Sequence, residues 1–319
     1  MKTRALGSLQ VPAIGFGAMV LSPGVYGEID DTRAEAALKA ALDAGATHVD
    51  TSDAYGADGH NERLVGRAIK GRRDEVVVAT KFGLAIPEGE PSRSHPVGYA
   101  FNELRVNAEP RLVRTYAERS LRNLDTDVID LYYIHYPDPG VPIEDTVGAM
   151  ADLVRAGLIK HVGLSNVTAD QLRAAHAVHP VSAVQNEWSM WRPVDAALLA
   201  TARELGVGIV AWSPLGNGFL TGTVQTLAEG DFRHNAPASR RRTCRATTTA
   251  TPRSGPWPRG WASRRPSSPW PGCCTRTSTW WPSPAAAPRP TSRRTWPPPT
   301  SPCTPTRWPG STRPWPSSR

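Results

Sequence analysis

Short β-branched and apolar runs alternate with longer amphipathic stretches over residues 1–237. Seven runs predict strands at residues 13–17, 47–50, 75–80, 128–134, 160–164, 182–185 and 207–211, and a hairpin is predicted before them at residues 3–11. Six stretches with apolar residues at helical spacing predict helices at residues 32–44, 61–70, 109–124, 143–156, 169–178 and 194–205. Each helix is long enough to connect two parallel strands, so the pattern predicts a parallel α/β fold.

Two parallel architectures compete, an open doubly wound sheet and a (β/α)₈ barrel. The doubly wound sheet usually begins with GxGxxG after its first strand. The first strand here has Gly15 and Gly17 in GFGAMV but lacks the third glycine, which favours the barrel. The strand ends of a barrel open onto one face, so residues distant in sequence converge there. The polar residues at these ends are Asp50, Lys81, His135, Ser165, Gln185 and Ser213.

Residues 82–107 form a long connection for a barrel and contain Pro, Gly and Ser. Long loops in compact domains are often functional, so we predict that this segment forms a lid over the face at the strand ends.

The last 82 residues, 238–319, have a different composition. They contain only Ala, Ser, Arg, Thr, Cys, Pro, Gly and Trp, with eighteen prolines and no Leu, Ile, Val, Phe or Met. Nothing in them repeats with helix or strand period, and ordinary disordered tails are poor in Trp. All eight residue types have GC-rich codons, so our hypothesis is a disordered tail or a GC-rich gene read out of frame from near Pro237. Translation of the DNA in the other frames tests this hypothesis.

Charge and cysteines follow the same division. The chain carries +8, but residues 238–319 contribute fifteen Arg without Lys, Asp or Glu, and residues 1–237 carry 22 basic and 29 acidic residues. The acidic first part argues against a nucleic-acid partner. All four cysteines lie in the tail without CxxC spacing, so we expect no metal site.

The N-terminus lacks an apolar secretory segment and no run reaches the ~18 apolar residues of a membrane span, so we expect a cytoplasmic protein without a membrane partner.

Four side chains near the predicted strand ends suit the reduction of a carbonyl group: Asp50, Tyr55, Lys81 and His135. A free tyrosine has a pKa of about 10 and is a reluctant acid at neutral pH. A neighbouring lysine favours the phenolate, so Lys81 would ease loss of the Tyr55 proton. Asp50 would hold and neutralise Lys81. His135 would orient the substrate carbonyl, whose oxygen gains its proton as hydride arrives.

At this point the sequence resembles the aldo-keto reductases. The motifs DTSDAYG, ATKFG, LYYIHYPDP, VGLSN, VQNEWS and AWSPLGNGFLTG occur in the family's order over residues 1–237. The resemblance implies a (β/α)₈ TIM barrel that reduces aldehydes or ketones with NADPH and without a metal. It also implies that Tyr55, Lys81, Asp50 and His135 form the catalytic tetrad.

The resemblance further implies three groups of cofactor contacts. Ser165, Asn166 and Gln185 would form hydrogen bonds with the nicotinamide carboxamide, and Trp212 would stack on the nicotinamide ring. A loop after the seventh strand would follow the pyrophosphate, where small residues and backbone amides allow close approach to phosphate. The loop residues are Ser213, Pro214, Leu215, Gly216 and Gly218.

The C-terminal third departs from the family. Relatives carry there the eighth strand, the last helices and a basic cluster that grips the adenosine 2′-phosphate, and the tail supplies none of them. We therefore predict an incomplete barrel over residues 1–237 that lacks the family's basic cluster for the 2′-phosphate of NADPH. There are two alternative interpretations: an NADP-binding regulatory module resembling channel β subunits, and an inactive product of a frameshifted reductase gene.

Three further polar features are interpreted as having structural roles and no part in catalysis. Asp53 and Asn61 are interpreted as turn and cap residues, since both types favour such positions. The cluster Arg72, Arg73 and Asp74 is interpreted as a solvated helix end.

Overall fold

A computed structural model of the chain describes residues 1–97 and 103–236. The predicted tail, residues 238–319, lies outside the described residues, so its hypothesis stays a prediction.

Parallel strands alternate with helices through most of this region. The barrel strands are β3 (Phe16–Gly17), β4 (His48–Asp50), β5 (Val77–Phe82), β8 (Ile129–Ile134), β9 (Ile159–Ser165), β10 (Val181–Glu187) and β11 (Gly208–Trp212). Among the described residues, two hairpins add four further strands, β1 (Thr3–Leu6) with β2 (Leu9–Pro12), and β6 (Arg93–Pro96) with β7 (Glu103–Val106). The helices are α1 (Asp31–Asp43), α2 (His60–Ile69), α3 (Pro110–Leu124), α4 (Ile143–Arg155), α5 (Ala169–Val178) and α6 (Ala196–Glu204).

The sheet curves into a barrel. Its order in the described residues is β11-β10-β9-β8-β5-β4-β3, with every pair parallel. Gln185 on β10 donates a hydrogen bond of 2.8 Å to Asp50 on β4. These strands are four places apart, which in a flat sheet corresponds to about 19 Å. The contact therefore spans the interior of a curved sheet, and the predicted (β/α)₈ TIM-barrel architecture is confirmed over the described strands.

Two apolar layers hold the barrel together. The larger layer lies between helices and strands, and the strand β8 is buried at every position because both of its faces are covered. The smaller layer fills the interior. There Leu6 and Val11 of the β1–β2 hairpin pack against Ala79, Leu131 and Tyr133. Leu6 also lies against Gly208 at the start of β11, and Gly7 lies against Ser182 near the start of β10. The hairpin therefore closes the barrel end opposite the C-terminal ends of the strands.

Gly163 on β9 is required by this inner packing. A methyl group at this position would overlap the Tyr133 ring. We expect Gly163→Ala to lower the free energy of unfolding by about 1–3 kcal/mol, because overpacking forces neighbours off their preferred rotamers. The control is Gly148→Ala in α4, where the added methyl meets nothing within 4 Å and should stabilise the helix by about 0.5–1 kcal/mol. Denaturant unfolding measures both, and equal effects at the two sites would contradict the packing argument.

Most predicted elements agree with the observed ones within two residues. The 169–178 helix matches α5 completely, and Thr168 and Gln171 close its first turn as a reciprocal capping box. The predicted strand 13–17 shrinks to Phe16–Gly17. The predicted strand 75–80 is shifted, because Lys81 and Phe82 still pair with β8 and extend β5.

The segment 82–107 is more structured than a loop. It contains the β6–β7 hairpin, and Arg93 on β6 forms ion pairs of 3.0 Å with Asp138 and Glu109. This anchors the described part of the segment beside the strand ends, while the predicted lid function stays a prediction.

The interpretation of residues 72–74 as a solvated helix end is wrong for Arg73. Its guanidinium is partly buried and donates hydrogen bonds to the carbonyl oxygens of Val76 and Val128. It also lies 2.8 Å from the buried carboxylate of Asp130. Arg73 therefore ties the start of β5 to the start of β8.

No helix in residues 1–97 and 103–236 is both long enough and apolar enough to cross a membrane.

Candidate active site

The four predicted tetrad residues converge at the C-terminal ends of three strands. Asp50 ends β4, Lys81 lies near the end of β5, and His135 directly follows β8. Tyr55 comes from the loop after β4, where a turn brings its backbone N–H to the Ser52 carbonyl at 3.2 Å.

Asn61 holds this loop in place. Its backbone N–H donates to the Tyr55 carbonyl at 3.1 Å, and its side chain accepts from the Thr51 hydroxyl at 2.6 Å and donates to the Ala18 carbonyl at 2.8 Å. The expectation that Asn61 merely caps a helix is therefore wrong, because its fully buried amide links three segments.

Lys81 is fully buried, and its ammonium group uses all three of its donors. Its Nζ donates to Asp50 Oδ1 at 2.5 Å, to the Thr51 carbonyl at 2.8 Å and to the Tyr55 hydroxyl at 3.2 Å. The other Asp50 oxygen accepts from Gln185, so the carboxylate is fixed from two sides. This network orients a positive charge toward the phenol oxygen.

Burial and charge set the protonation states of the site. Burial raises the pKa of Tyr55 above its ordinary value, and the nearby Lys81 charge lowers it by less. Burial alone would favour neutral Lys81, but Asp50 and Tyr55 outweigh it and the pKa of Lys81 is raised. Burial and the Lys81 charge together hold the pKa of His135 well below its usual value. At neutral pH the site contains a protonated phenol, an ammonium and a neutral imidazole.

These shifts refine the expectation for Tyr55. Lys81 acts in the predicted direction, favouring the phenolate, but desolvation is the larger effect. The proton therefore stays on Tyr55 across the neutral range and is available to an acceptor in the cavity.

A cavity of about 390 Å³ opens beside this network. Tyr55 and His135 line it together with Asp50, and the two rings meet edge to face with centroids 5.8 Å apart. The remaining lining is largely apolar and includes Met19, Val20, Val25, Leu84, Leu104, Tyr136 and Phe232. Such a cavity suits a small, partly apolar molecule with one polar group directed at Tyr55.

Ser165, Asn166, Gln185 and Trp212 all line the same cavity. Asn166 has φ of +57°, a conformation that non-glycine residues rarely adopt. Its amide donates to the His135 carbonyl at 3.0 Å and to Ser165 Oγ at 2.9 Å, and its oxygen accepts from the Trp212 indole at 3.2 Å. Asn166 therefore orients both the indole ring and the segment that carries His135.

The segment after β11 turns sharply. Ser213 and Asn217 have φ of +48° and +53°, line the cavity, and are joined by a hydrogen bond of 2.5 Å from Ser213 Oγ. Tyr26 also donates to Asn217, at 3.2 Å, from across the cavity. Four predicted contact residues belong to this turn but not to the lining of the cavity: Pro214, Leu215, Gly216 and Gly218.

A sequence model of the aldo/keto reductase family matches residues 13–260. The chain belongs to the aldo-keto reductase family. The match includes every predicted site residue and ends within the predicted tail, so residues 261–319 lie outside it.

Known members of the family resemble this aldo-keto reductase in sequence and in fold. Probable aldo-keto reductase 1 of Glycine max is 42% identical over 215 residues, which is 67% of this chain and 58% of that protein. The chain thus spans less than two thirds of the length of this curated relative. The glycerol dehydrogenase of Gluconobacter oxydans superposes with a TM-score of 0.63 at 28% identity, covering 77% of this chain and 74% of that one. An aldo/keto reductase of Klebsiella pneumoniae in complex with NADP and acetate superposes with a TM-score of 0.55 at 28% identity, covering 70% of this chain and 71% of that one.

A buried polar cluster of this aldo-keto reductase was not predicted. Asp53, interpreted as a turn residue, is buried and forms an ion pair of 3.1 Å with Arg119 on α3. Glu62 on α2 is also buried and accepts from Thr80 at 2.7 Å and from Asn123 at 2.9 Å. The interpretation of Asp53 as a turn residue alone is therefore wrong.

Helical spacing offered a signal for two of these residues. Glu62 precedes Val65 and Ile69 by three and seven positions, which puts it on the buried face of α2. Arg119 follows Leu112 and Tyr116 by seven and three positions on α3. A charged residue on an apolar helix face indicates a buried partner, but the sequence does not identify Asp53 as that partner.

Proposed function

We propose that this chain reduces small aldehydes or ketones to alcohols, with hydride from NADPH and a proton from Tyr55. The observation that carries the proposal is the 3.2 Å contact between the Tyr55 hydroxyl and the Lys81 ammonium beside the cavity. A phenol positioned in this way is a general acid whose conjugate base has a cation ready to stabilise it.

The proton moves from Tyr55 to the carbonyl oxygen of the substrate. Lys81 stabilises the phenolate that is left, and it does so without reorganising because its other two donors are fixed by Asp50 and the Thr51 carbonyl. Asp50 keeps Lys81 charged inside the barrel. The neutral His135 positions the same carbonyl oxygen by a hydrogen bond from its ring.

A nicotinamide cofactor fits the described residues. Trp212 offers a ring face, Ser165 and Gln185 offer polar groups at the cavity wall, and the turn containing Ser213 brings backbone close to the cavity opening. When bound, the cofactor supplies the hydride. The Klebsiella pneumoniae relative in complex with NADP supports the choice of NADP(H).

The direct test is an assay of the purified full chain with NADPH and a panel of aldehydes and ketones, followed by absorbance at ~340 nm. We expect NADPH oxidation that depends on the carbonyl compound and saturates with it. NADPH binding without oxidation by any member of a broad panel would count against carbonyl reduction. It would favour a cofactor-binding protein instead.

Trp212 gives a separate test of the cofactor site. We expect Trp212→Ala to raise the Kd for NADPH about tenfold, the loss of one aromatic stacking contact of about 1–1.5 kcal/mol. Trp212→Phe retains a ring and should weaken binding by less than threefold. Quenching of protein fluorescence or calorimetry measures both. Equal affinities for the two variants would show that the ring does not contact the cofactor.

A further inference from the structure

The imidazole of His135 is connected to Asp53 through one hydroxyl group. Ser52 Oγ lies 3.0 Å from His135 Nδ1 and 3.3 Å from Asp53 Oδ1, and it accepts from the Ala54 N–H at 3.2 Å. Ser52, Asp53 and His135 are all buried. Since Nδ1 is used by Ser52, Nε2 is the ring nitrogen left for a substrate.

A serine hydroxyl donates one hydrogen bond and accepts two. One acceptor site of Ser52 is filled by the Ala54 N–H. If Asp53 is protonated on Oδ1, it donates to Ser52, and Ser52 donates to His135 Nδ1. If Asp53 is ionised, Ser52 donates to Asp53 and must accept from His135 Nδ1. Both arrangements satisfy Ser52, so the Asp53 proton decides between them.

We propose that Asp53, acting through Ser52, determines which ring nitrogen of His135 carries the proton. Protonated Asp53 selects the Nε2–H form, which donates a hydrogen bond into the cavity. Ionised Asp53 selects the Nδ1–H form, whose Nε2 lone pair faces a carbonyl oxygen and repels it. The consequence for catalysis rests on the proposed carbonyl reduction, whereas the tautomer of His135 does not.

The surroundings of Asp53 allow this exchange near neutrality. Burial and the negative charge of Glu62 on α2 raise the pKa of Asp53. The charge of Arg119 on α3 and hydrogen bonds from Ser52 and the Ala85 backbone lower it, and the net value is about 7. Asp53 also interacts electrostatically with the phenols of Tyr55, Tyr116 and Tyr132.

Arg119 donates to Oδ2 of Asp53 at 3.1 Å. The proton therefore belongs on Oδ1, the oxygen beside Ser52. His135 stays neutral in this range because its own pKa is held well below the usual value by burial and by Lys81. Below about pH 7 we expect the Nε2–H form, and above it the Nδ1–H form.

The tautomer can be read directly by NMR without cofactor or substrate. The full chain is labelled with ¹⁵N-histidine, and His135→Asn identifies the His135 signals. In the native chain we expect the pyrrole-type nitrogen to change from Nε2 to Nδ1 as pH rises through about 7. Asp53→Asn is neutral at every pH and should keep the Nε2–H form throughout. Ser52→Ala breaks the connection and should remove the pH dependence.

Ser182→Ala is the matched control. Ser182 also contacts a histidine Nδ1, that of His161 at 3.2 Å, but it does not line the cavity. This variant should retain the native tautomer change of His135. Thermal melting checks that each variant is folded. If Asp53→Asn does not fold, Ser52→Ala by itself tests the proposal.

Kinetics give a second readout. We expect Ser52→Ala to lower kcat about five- to tenfold at pH 6, the loss of one buried hydrogen bond, with the Kd for NADPH unchanged. In the native chain kcat/KM should fall above about pH 7, and this fall should disappear in Asp53→Asn. An unchanging His135 tautomer in the native chain, or a tautomer change that persists in Asp53→Asn or Ser52→Ala, would overturn the proposal whether or not the chain reduces carbonyls.

Discussion

Replacing Tyr55 with phenylalanine is expected to lower kcat for carbonyl reduction by about 10²–10⁴-fold, the usual contribution of a positioned general acid. The ring and its edge-to-face contact with His135 remain, so the shape of the cavity changes little. The Kd for NADPH should stay within about twofold, because only the hydroxyl is lost. Steady-state rates with the best substrate of the panel, together with a cofactor titration, measure both.

Tyr132→Phe is the control for this substitution. Tyr132 lies on β8 and is fully buried, and its hydroxyl has no hydrogen-bond partner among the described residues. It does not line the cavity, so its loss should change kcat by less than twofold. If Tyr55→Phe and Tyr132→Phe were equally active, the proton would come from another group and Tyr55 would lose its proposed role.

Replacing Lys81 with methionine is expected to lower the free energy of unfolding by about 3 kcal/mol, because the variant leaves the Asp50 carboxylate in the barrel without its cation. Asp50 would retain only Gln185 as a side-chain donor among its described contacts. The same variant should lower kcat about 100-fold, since the phenolate of Tyr55 would form without a neighbouring positive charge. Urea unfolding and the reduction assay give the two values.

Two further variants test whether the unpaired charge causes the loss. Asp50→Asn added to Lys81→Met should recover most of the stability but none of the activity. Lys39→Met removes an exposed lysine 3.6 Å from Glu35 on α1 and should cost less than about 0.5 kcal/mol. A double variant no more stable than Lys81→Met alone would indicate lost packing as the cause.

The stability of the fold should also depend on pH through the ion pair between Lys81 and Asp50. The pKa of Lys81 is raised in the folded chain, so its ion pair stabilises the fold fully below the unfolded pKa of about 10.4. This stability is lost as pH rises through the folded value.

The predicted helices were accurate because their signals are local. The helix at 169–178 combines apolar positions at helical spacing with a cap at Thr168, and both act within a few residues. The predicted end of β5 was less accurate. Lys81 continues the strand because the Asp50 carboxylate on β4 accepts a hydrogen bond from its ammonium group inside the barrel. From the sequence alone, the charge of a lysine predicts that the buried strand ends before it.

The sequence by itself determined the order of strands and helices, and it indicated which four side chains carry the proposed chemistry. Those features depend on residue spacing and on motifs that are contiguous in the chain. The tertiary structure decided what each polar group contacts. Asp53 lies two positions from Tyr55, yet the charges that act on it, those of Arg119 and Glu62, come from two separate helices. Burial and charge from those helices set its protonation, because electrostatic interactions depend on distance in space and not on separation along the chain.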